Sequence, residues 1–237
     1  MSLNQDIVAK RAAANPDYPV TLNSAANEQT VDAIKKFGCT QIAEFGILDG
    51  DTSIAIAHHL NNRGRLSLFD FQHNVDLVLD RIKQEGFHNI YGYGSSSRLL
   101  DNYNWSLSSL MASDNPPTFD YVFIDGAHTW NVDALTFFLI DKLLAVGGYM
   151  DFDDYDWSIA SSPTLSPSVF PRTLDFYTDE QIQDRQIKRV IDVLVSKHPR
   201  YRTVVKNKIF QKIADDAVPT WRALFNRYRT RRAMSTP

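Results

Sequence analysis

The stretch Ile42-Ala-Glu44-Phe-Gly46-Ile-Leu-Asp-Gly50-Asp-Thr52-Ser53 joins an apolar run ending in an acid to a glycine-bearing turn, and then to a helix start. α/β proteins build nucleotide pockets at such junctions. The glycines fall in Glu-x-Gly-x-x-x-Gly-x-Thr/Ser, whereas the dinucleotide fingerprint Gly-x-Gly-x-x-Gly brings backbone against a pyrophosphate. This turn is therefore not built for a diphosphate, and a nicotinamide dehydrogenase is the least favoured reading.

Outward from that turn, strands and helices alternate. A strand from near Thr40 is followed by a helix over Thr52–Asn61, and Arg65–Phe69 forms a second strand ending in Asp70. A helix over Asn74–Gln84, a strand over Asn89–Tyr93, a helix around Leu107 and a strand over Phe119–Ile124 ending in Asp125 continue the pattern. Thr129–Leu144 reads as a helix with Val132, Leu135, Phe138, Leu139 and Leu143 on one face, stopped by Gly147 and Gly148. Tyr149–Phe152 is a fifth strand, followed by Asp153 and Asp154. This alternation implies an α/β fold, a Rossmann-like doubly wound and mostly parallel sheet with ligands at the carboxyl ends of its strands.

Before the sheet, a short helix over Asn4–Ala14 and a second helix capped by Ser24 and ended by Gly38 form an N-terminal helical arm over residues 1–39. The main domain spans 40–214. The Ser- and Pro-rich segment Ser158–Leu174 is a long loop suited to a substrate lid. Asp179–Lys197 reads as one amphipathic helix, and Tyr201–Val205 with Ile209–Ile213 as a terminal hairpin. Residues 215–237 form a basic helix or tail: Arg222, Arg227, Arg229, Arg231 and Arg232 interleave with Trp221, Leu224, Phe225 and Tyr228. A helix docked through its aromatics with a solvated basic face is favoured over RNA binding.

The 237 residues carry a net charge of -3, which gives no global drive toward nucleic acid or anionic membrane. The single Cys39 excludes an intrachain disulfide and reads as a small packing residue. With no apolar signal core and no run long enough to span a membrane, the sequence reads as that of a soluble cytoplasmic protein. A small-molecule partner and a homo-oligomer are both compatible with it.

Asp70 stands where a carboxylate can accept both hydroxyls of a ribose, or can cap the loop near Asn74. Asp125, Asp153 and Asp154 end two strands expected to be neighbours, roughly 4.8 Å apart. Carboxylates converging there repel one another unless a cation lies among them, and hard oxygen donors suit Mg²⁺ or a similar divalent ion. His128, at a helix start where the dipole disfavours an imidazolium, can act as a general base or be structural. Ser95 and Ser96 can meet an adenine edge or cap a helix.

With these residues in view the chain resembles the class I S-adenosylmethionine-dependent methyltransferases over roughly Thr40 to Ile213. Within them it is most similar to the divalent-metal-dependent O-methyltransferases of the macrolide and aminocoumarin sugar type. Glu44-Phe-Gly46-Ile-Leu-Asp-Gly50 resembles their first motif, FIDGAHTW their Asp-Gly-x-His segment, and GGYMDFDDY their Gly-Gly-to-Asp-Tyr segment. The resemblance implies a seven-stranded sheet of order 3-2-1-4-5-7-6 with an antiparallel seventh strand. It implies a cofactor site at Glu44, Gly46, Gly50, Thr52, Ser53, Asp70, Ser95, Ser96 and Asp125, with the methionine part of S-adenosylmethionine at the turn. Metal ligands then fall on Asp125, Asp153 and Asp154, and the base on His128. Ala127 stands where some relatives carry a second Asp, and the Ser/Pro-rich loop shows no acceptor signature. The implied reaction is methyl transfer to a hydroxyl of a small polar molecule. Its rivals are a glycosyltransferase holding a metal on Asp151-Phe-Asp153, and a methyltransferase-like module that only binds.

Overall fold

The computed structural model describes residues 25–98 and 100–214. The expected helix over Asn4–Ala14, its successor's cap at Ser24 and the basic segment 215–237 lie outside them.

Strands β1 (Gln41–Phe45), β2 (Arg65–Phe71), β3 (Ile90–Ser95), β4 (Phe119–Ile124), β5 (Leu144–Phe152), β6 (Tyr201–Val205) and β7 (Ile209–Lys212) form one sheet of order β3-β2-β1-β4-β5-β7-β6. β1 to β5 run parallel, and β7 pairs antiparallel with both β5 and β6. Helices α1 (Glu28–Phe37), α2 (Asp51–Leu60) and α3 (Gln72–Gln84) cover one face. Their Ile34, Ile56 and Val78 pack with Ile42, Leu68 and Phe123 of the strands. On the other face, α4 (Tyr103–Met111) and α5 (Trp130–Leu143) pack on Phe45, Phe69, Val122 and Phe152 through Leu107, Phe137 and Ile140. Both faces of the parallel strands are thus dry, which is why these strands read as continuous apolar runs.

The register brings the chemistry to one edge. Phe45 pairs with Phe69 and with Ile124, and Ile124 pairs with Phe152. The residues that follow, Gly46, Asp70, Asp125 and Asp153, therefore emerge side by side at the carboxyl ends.

Three local expectations need correction. Helix α5 does not bury an apolar stripe through Leu135 and Phe138, which are 49% and 50% exposed; its inner face carries Asp133, Thr136, Phe137, Ile140 and Asp141. These polar groups have buried partners, Asp133 taking Tyr103 and Asp141 taking Tyr201 and Arg200. Gly147 and Gly148 do not end a helix but lie inside β5, which starts at Leu144 and shifts register against β4 between Phe119 and Tyr121. The helix expected over Asp179–Lys197 is broken. α7 (Asp179–Gln183) stops at the extended Asp184 (ψ 148°), after which α8 (Gln186–Val190) runs into a π turn over Ile191–Val195. Gln186 fastens the break, donating to the Gln181 carbonyl at 2.8 Å and accepting from the Trp130 N–H at 2.8 Å. Between β5 and α7, the Ser/Pro-rich segment holds a 3₁₀ turn at Ile159–Ser161 and the short α6 (Thr173–Phe176). The first helix of the sheet domain, α1, is capped by Asn27, whose side chain accepts from Thr30 N at 3.1 Å. No described helix is long and apolar enough to cross a membrane.

Candidate functional site

The turn after β1 is shaped by close approach. Gly46 has φ +82°, and a Cβ there would sit 2.0 Å from the Asp125 carbonyl oxygen. Gly50, also at φ +82°, opens α2 against Val78, which a Cβ would meet at 2.6 Å. Only glycine satisfies both the backbone and the space at these points. Between them Leu48 is held at φ 42°, a left-handed conformation that a branched side chain seldom adopts.

Asp70 holds that conformation. Its Oδ2 accepts from the backbone of Ile47 at 2.7 Å and Leu48 at 3.1 Å; its Oδ1 accepts from Phe71 N at 2.5 Å and Asn74 Nδ2 at 3.0 Å. A carboxylate offers about four lone-pair directions, and all are engaged. The carboxylate thus organises the cofactor turn and also holds the loop at Asn74, the second of the two roles its position allowed.

Glu44 lies fully buried beneath the turn and accepts from Ser53 Oγ at 2.6 Å, tying the end of β1 to the start of α2. Burial pushes its pKa up to about 8, with the Ser53 hydrogen bond opposing the rise and nearby Asp70 adding to it. Thr52 accepts from the backbone N–H of Asn27 at 2.9 Å. Glu44 and Ser53 therefore support the turn from below. Ser95, at the end of β3, donates to the Asp70 carbonyl at 3.3 Å. Ser96 donates through both N–H and hydroxyl to Asp101 Oδ2, closing a local turn, while Asn102 caps α4.

The acidic edge is divided. Asp125, His128 and Asp154 each offer one ligand atom, and these atoms lie within 4.8 Å of one another. His128 Nδ1 is 3.2 Å from Asp154 Oδ2, and its Nε2 is 3.9 Å from Asp125 Oδ1. Positive φ angles at His128 (54°) and Asp154 (57°) turn both side chains toward this point. The ring's surroundings are dominated by these two carboxylates rather than by the helix dipole alone. Partial burial lifts Asp125 well above the usual carboxylate range, and Asp153 and Asp154 push it further; Asp154 is also raised.

Asp153 is close enough to act on Asp125, yet its carboxylate is engaged elsewhere and stands outside that three-residue group. Its Oδ2 accepts from Asn27 Nδ2 at 2.9 Å, and its Oδ1 is 3.7 Å from Lys208 Nζ. The group whose ligand atoms meet is Asp125, His128 and Asp154, with the Asp153 carboxylate beside it. Two carboxylates and an imidazole fit a divalent first-row cation as well as Mg²⁺.

Asp151, two residues before Asp153 and inside β5, is 0% exposed. Its Oδ2 accepts from Thr30 Oγ1 at 2.7 Å and Tyr121 OH at 2.6 Å, and its Oδ1 lies 3.0 Å from Lys208 Nζ. A carboxylate so enclosed cannot reach a metal bound to a sugar nucleotide, which removes the Asp151-Phe-Asp153 reading. Cys39 is likewise buried, its thiol pushed up to about 12 by burial and Asp120, as suits a packing residue.

Sequence reading missed several supports. Tyr103 OH donates to the buried Asp133 and accepts from Ala127 N at 3.1 Å, while Asp133 Oδ2 accepts from Thr129 N at 2.9 Å. The loop carrying Asp125 and His128 is thus braced from α4 and α5. Asn27, Thr30 and Lys208 brace the other side. A cap signal before Glu28-Gln29-Thr30 was legible for Asn27; nothing local marks the rest.

Residues 43–155 match a family model described as a methyltransferase domain. An O-methyltransferase from Bacillus cereus, solved in complex with S-adenosylhomocysteine (SAH), is 19% identical with a TM-score of 0.58, covering 90% of this chain and 91% of that one. TomG from Streptomyces achromogenes, an O-methyltransferase involved in tomaymycin synthesis and solved with S-adenosylmethionine, is 16% identical with a TM-score of 0.57, covering 90% and 91%. PaMTH1, a methyltransferase from Podospora anserina solved with SAH, is 15% identical with a TM-score of 0.55, covering 79% and 77%. At such identities the likeness is one of fold. No curated protein sequence matches the chain.

Proposed function

We propose that this protein, a class I S-adenosylmethionine-dependent methyltransferase, methylates a hydroxyl oxygen of a small polar molecule with the help of a divalent cation. The observation that carries the reading is the meeting of Asp125, His128 and Asp154 beside the glycine turn.

Asp125 and Asp154 would hold the cation, with Asp153 behind them. The chemistry such an ion would supply there is to make an acceptor hydroxyl more acidic. His128 then takes the hydroxyl proton, and its contact with Asp154 supports the charge it gains. The acceptor oxygen attacks the sulfonium methyl in line; the carbon–sulfur bond breaks, its electron pair stays on sulfur, and SAH leaves. The turn at Gly46–Gly50 aligns the donor, and the Tyr103–Asp133 brace fixes the position of the base. The Ser158–Leu174 segment is the proposed cover of the acceptor.

Calorimetry with SAH, followed by labelled-methyl transfer to a panel of hydroxylated acceptors, tests the reading. Absence of SAH binding would overturn it, and methyl transfer to amines alone would overturn the oxygen assignment.

A further inference from the structure

The two halves of the site come from separate stretches of the chain, the cofactor turn after β1 and the acidic edge after β4 and β5. Asn27 hydrogen-bonds to both. The Asn27 backbone N–H donates to Thr52 Oγ1 at 2.9 Å, in the first turn of α2, and its Nδ2 donates to Asp153 Oδ2 at 2.9 Å, beyond β5. Its Oδ1 accepts from Thr30 N at 3.1 Å, capping α1. One turn along, Thr30 Oγ1 fastens the same helix to Asp151 Oδ2 at 2.7 Å. Asn27 is thus fixed on a helix that is itself anchored to β5, with one donor for each half of the site.

We infer that Asn27 is a positioning residue that sets the cofactor turn and the acidic edge as one unit, so that ligands of the two halves bind cooperatively. This rests on the metal-assisted reading above. A ligand that orders one half makes the other half's ordering already complete, and the second ligand loses less conformational entropy on binding. Because coupling between two binding events is reciprocal, each ligand tightens the other by the same factor. The amide is required for the link to Asp153: a carboxylate would repel it, and a hydroxyl is too short to reach while still capping.

The test is calorimetric titration of SAH and of Mn²⁺, each alone and in the presence of the other, on wild type, Asn27→Ser and Thr52→Val. Serine caps helices about as well as asparagine, so Asn27→Ser keeps the start of α1 and removes only the amide. Thr52→Val cuts the other link and stands in if the first variant fails to fold. The expected result is a reciprocal tightening of at least about fivefold in wild type, within the usual range for coupled sites. Each variant brings that factor to about one. The expected thermal midpoint of Asn27→Ser stays close to wild type, separating positioning from a loss of the cap.

A wild type that binds SAH but no Mn²⁺ removes the metal clause and this inference with it. One that binds neither removes the methyl-transfer reading as well. Wild-type binding of both without mutual tightening, or coupling that survives both variants, overturns this inference alone.

Discussion

His128 Nδ1 lies 3.2 Å from Asp154 Oδ2, with both residues held at positive φ. Two non-glycine residues in the left-handed region, facing each other, represent strain that the surrounding loops must maintain. Replacing His128 by Gln is expected to lower methyl transfer by about 10²–10⁴-fold, the usual contribution of a general base. SAH affinity should stay within about threefold. Single-turnover transfer and calorimetry on the same preparation check this; equal losses in both would assign His128 to structure.

Dialysis against EDTA is expected to reduce turnover by about tenfold or more, with recovery on addition of Mg²⁺ or Mn²⁺. Asp154→Asn should weaken Mn²⁺ binding measured by electron paramagnetic resonance, whereas Asp156→Asn, at an exposed ion pair with Arg185, should not. Full turnover of the metal-stripped protein would remove the cation from the reaction.

Glu44 gives the fold a pH dependence. Its pKa is raised to about 8 from an ordinary value of 4.5, so between those values the folded chain holds a proton that the unfolded chain has released. Its contribution to stability is complete below about pH 4.5, declines as pH rises and is lost above about pH 8. Glu44→Gln keeps a group able to accept from Ser53 and has no proton to lose. Urea unfolding should show the variant gaining on wild type by about 4 kcal/mol between pH 5 and pH 8.5. A constant difference across that window would contradict the assignment.

Gly46→Ala should cost about 3 kcal/mol and abolish SAH binding, because both its φ and the Asp125 carbonyl oppose a side chain. Gly147→Ala is the control: its φ is +90°, but a Cβ there meets nothing within 4 Å, and a loss nearer 1 kcal/mol is expected. Denaturant midpoints of the two variants give the comparison directly.

Lys208→Met leaves Asp151 buried without its cation, and a loss of about 3 kcal/mol is expected near neutral pH. Adding Asp151→Asn should recover part of it, since an amide carries no charge to compensate. A double-mutant cycle showing no interaction energy would mean that the pair is not coupled.

The alternation of elements and the acidic edge were legible because their signals are local. The glycine turn, the apolar strands and the acids that end them all lie within a few residues of one another. What was not legible depended on distant partners. The inner face of α5 was misassigned because Asp133 and Asp141 look like solvent-facing residues until Tyr103, Arg200 and Tyr201 are placed beside them. Gly147 and Gly148 resembled a helix stop because the bulge that accommodates β5 is set by its pairing with β4. Asp153 was placed at the right edge by strand position, but its side chain was claimed by Asn27, 126 residues away in sequence. Asp70 was at the right strand end, and two of its four donors, Ile47 N and Leu48 N, come from the turn beside it.

The final hairpin bears on how the protein is made. Lys208 and Lys212 come from the start and end of the last described strand region, yet they reach back to Asp151 on β5 and to Asp141 near the end of α5. While the chain is still leaving the ribosome, β1 to β5 can assemble before either lysine has emerged, and for that interval both carboxylates lack their cations. A nascent chain stalled before β7 would have to keep these acids hydrated, holding the sheet open along that side. The β5 side of the sheet therefore gains both cations only when β7, the last described strand, has been made.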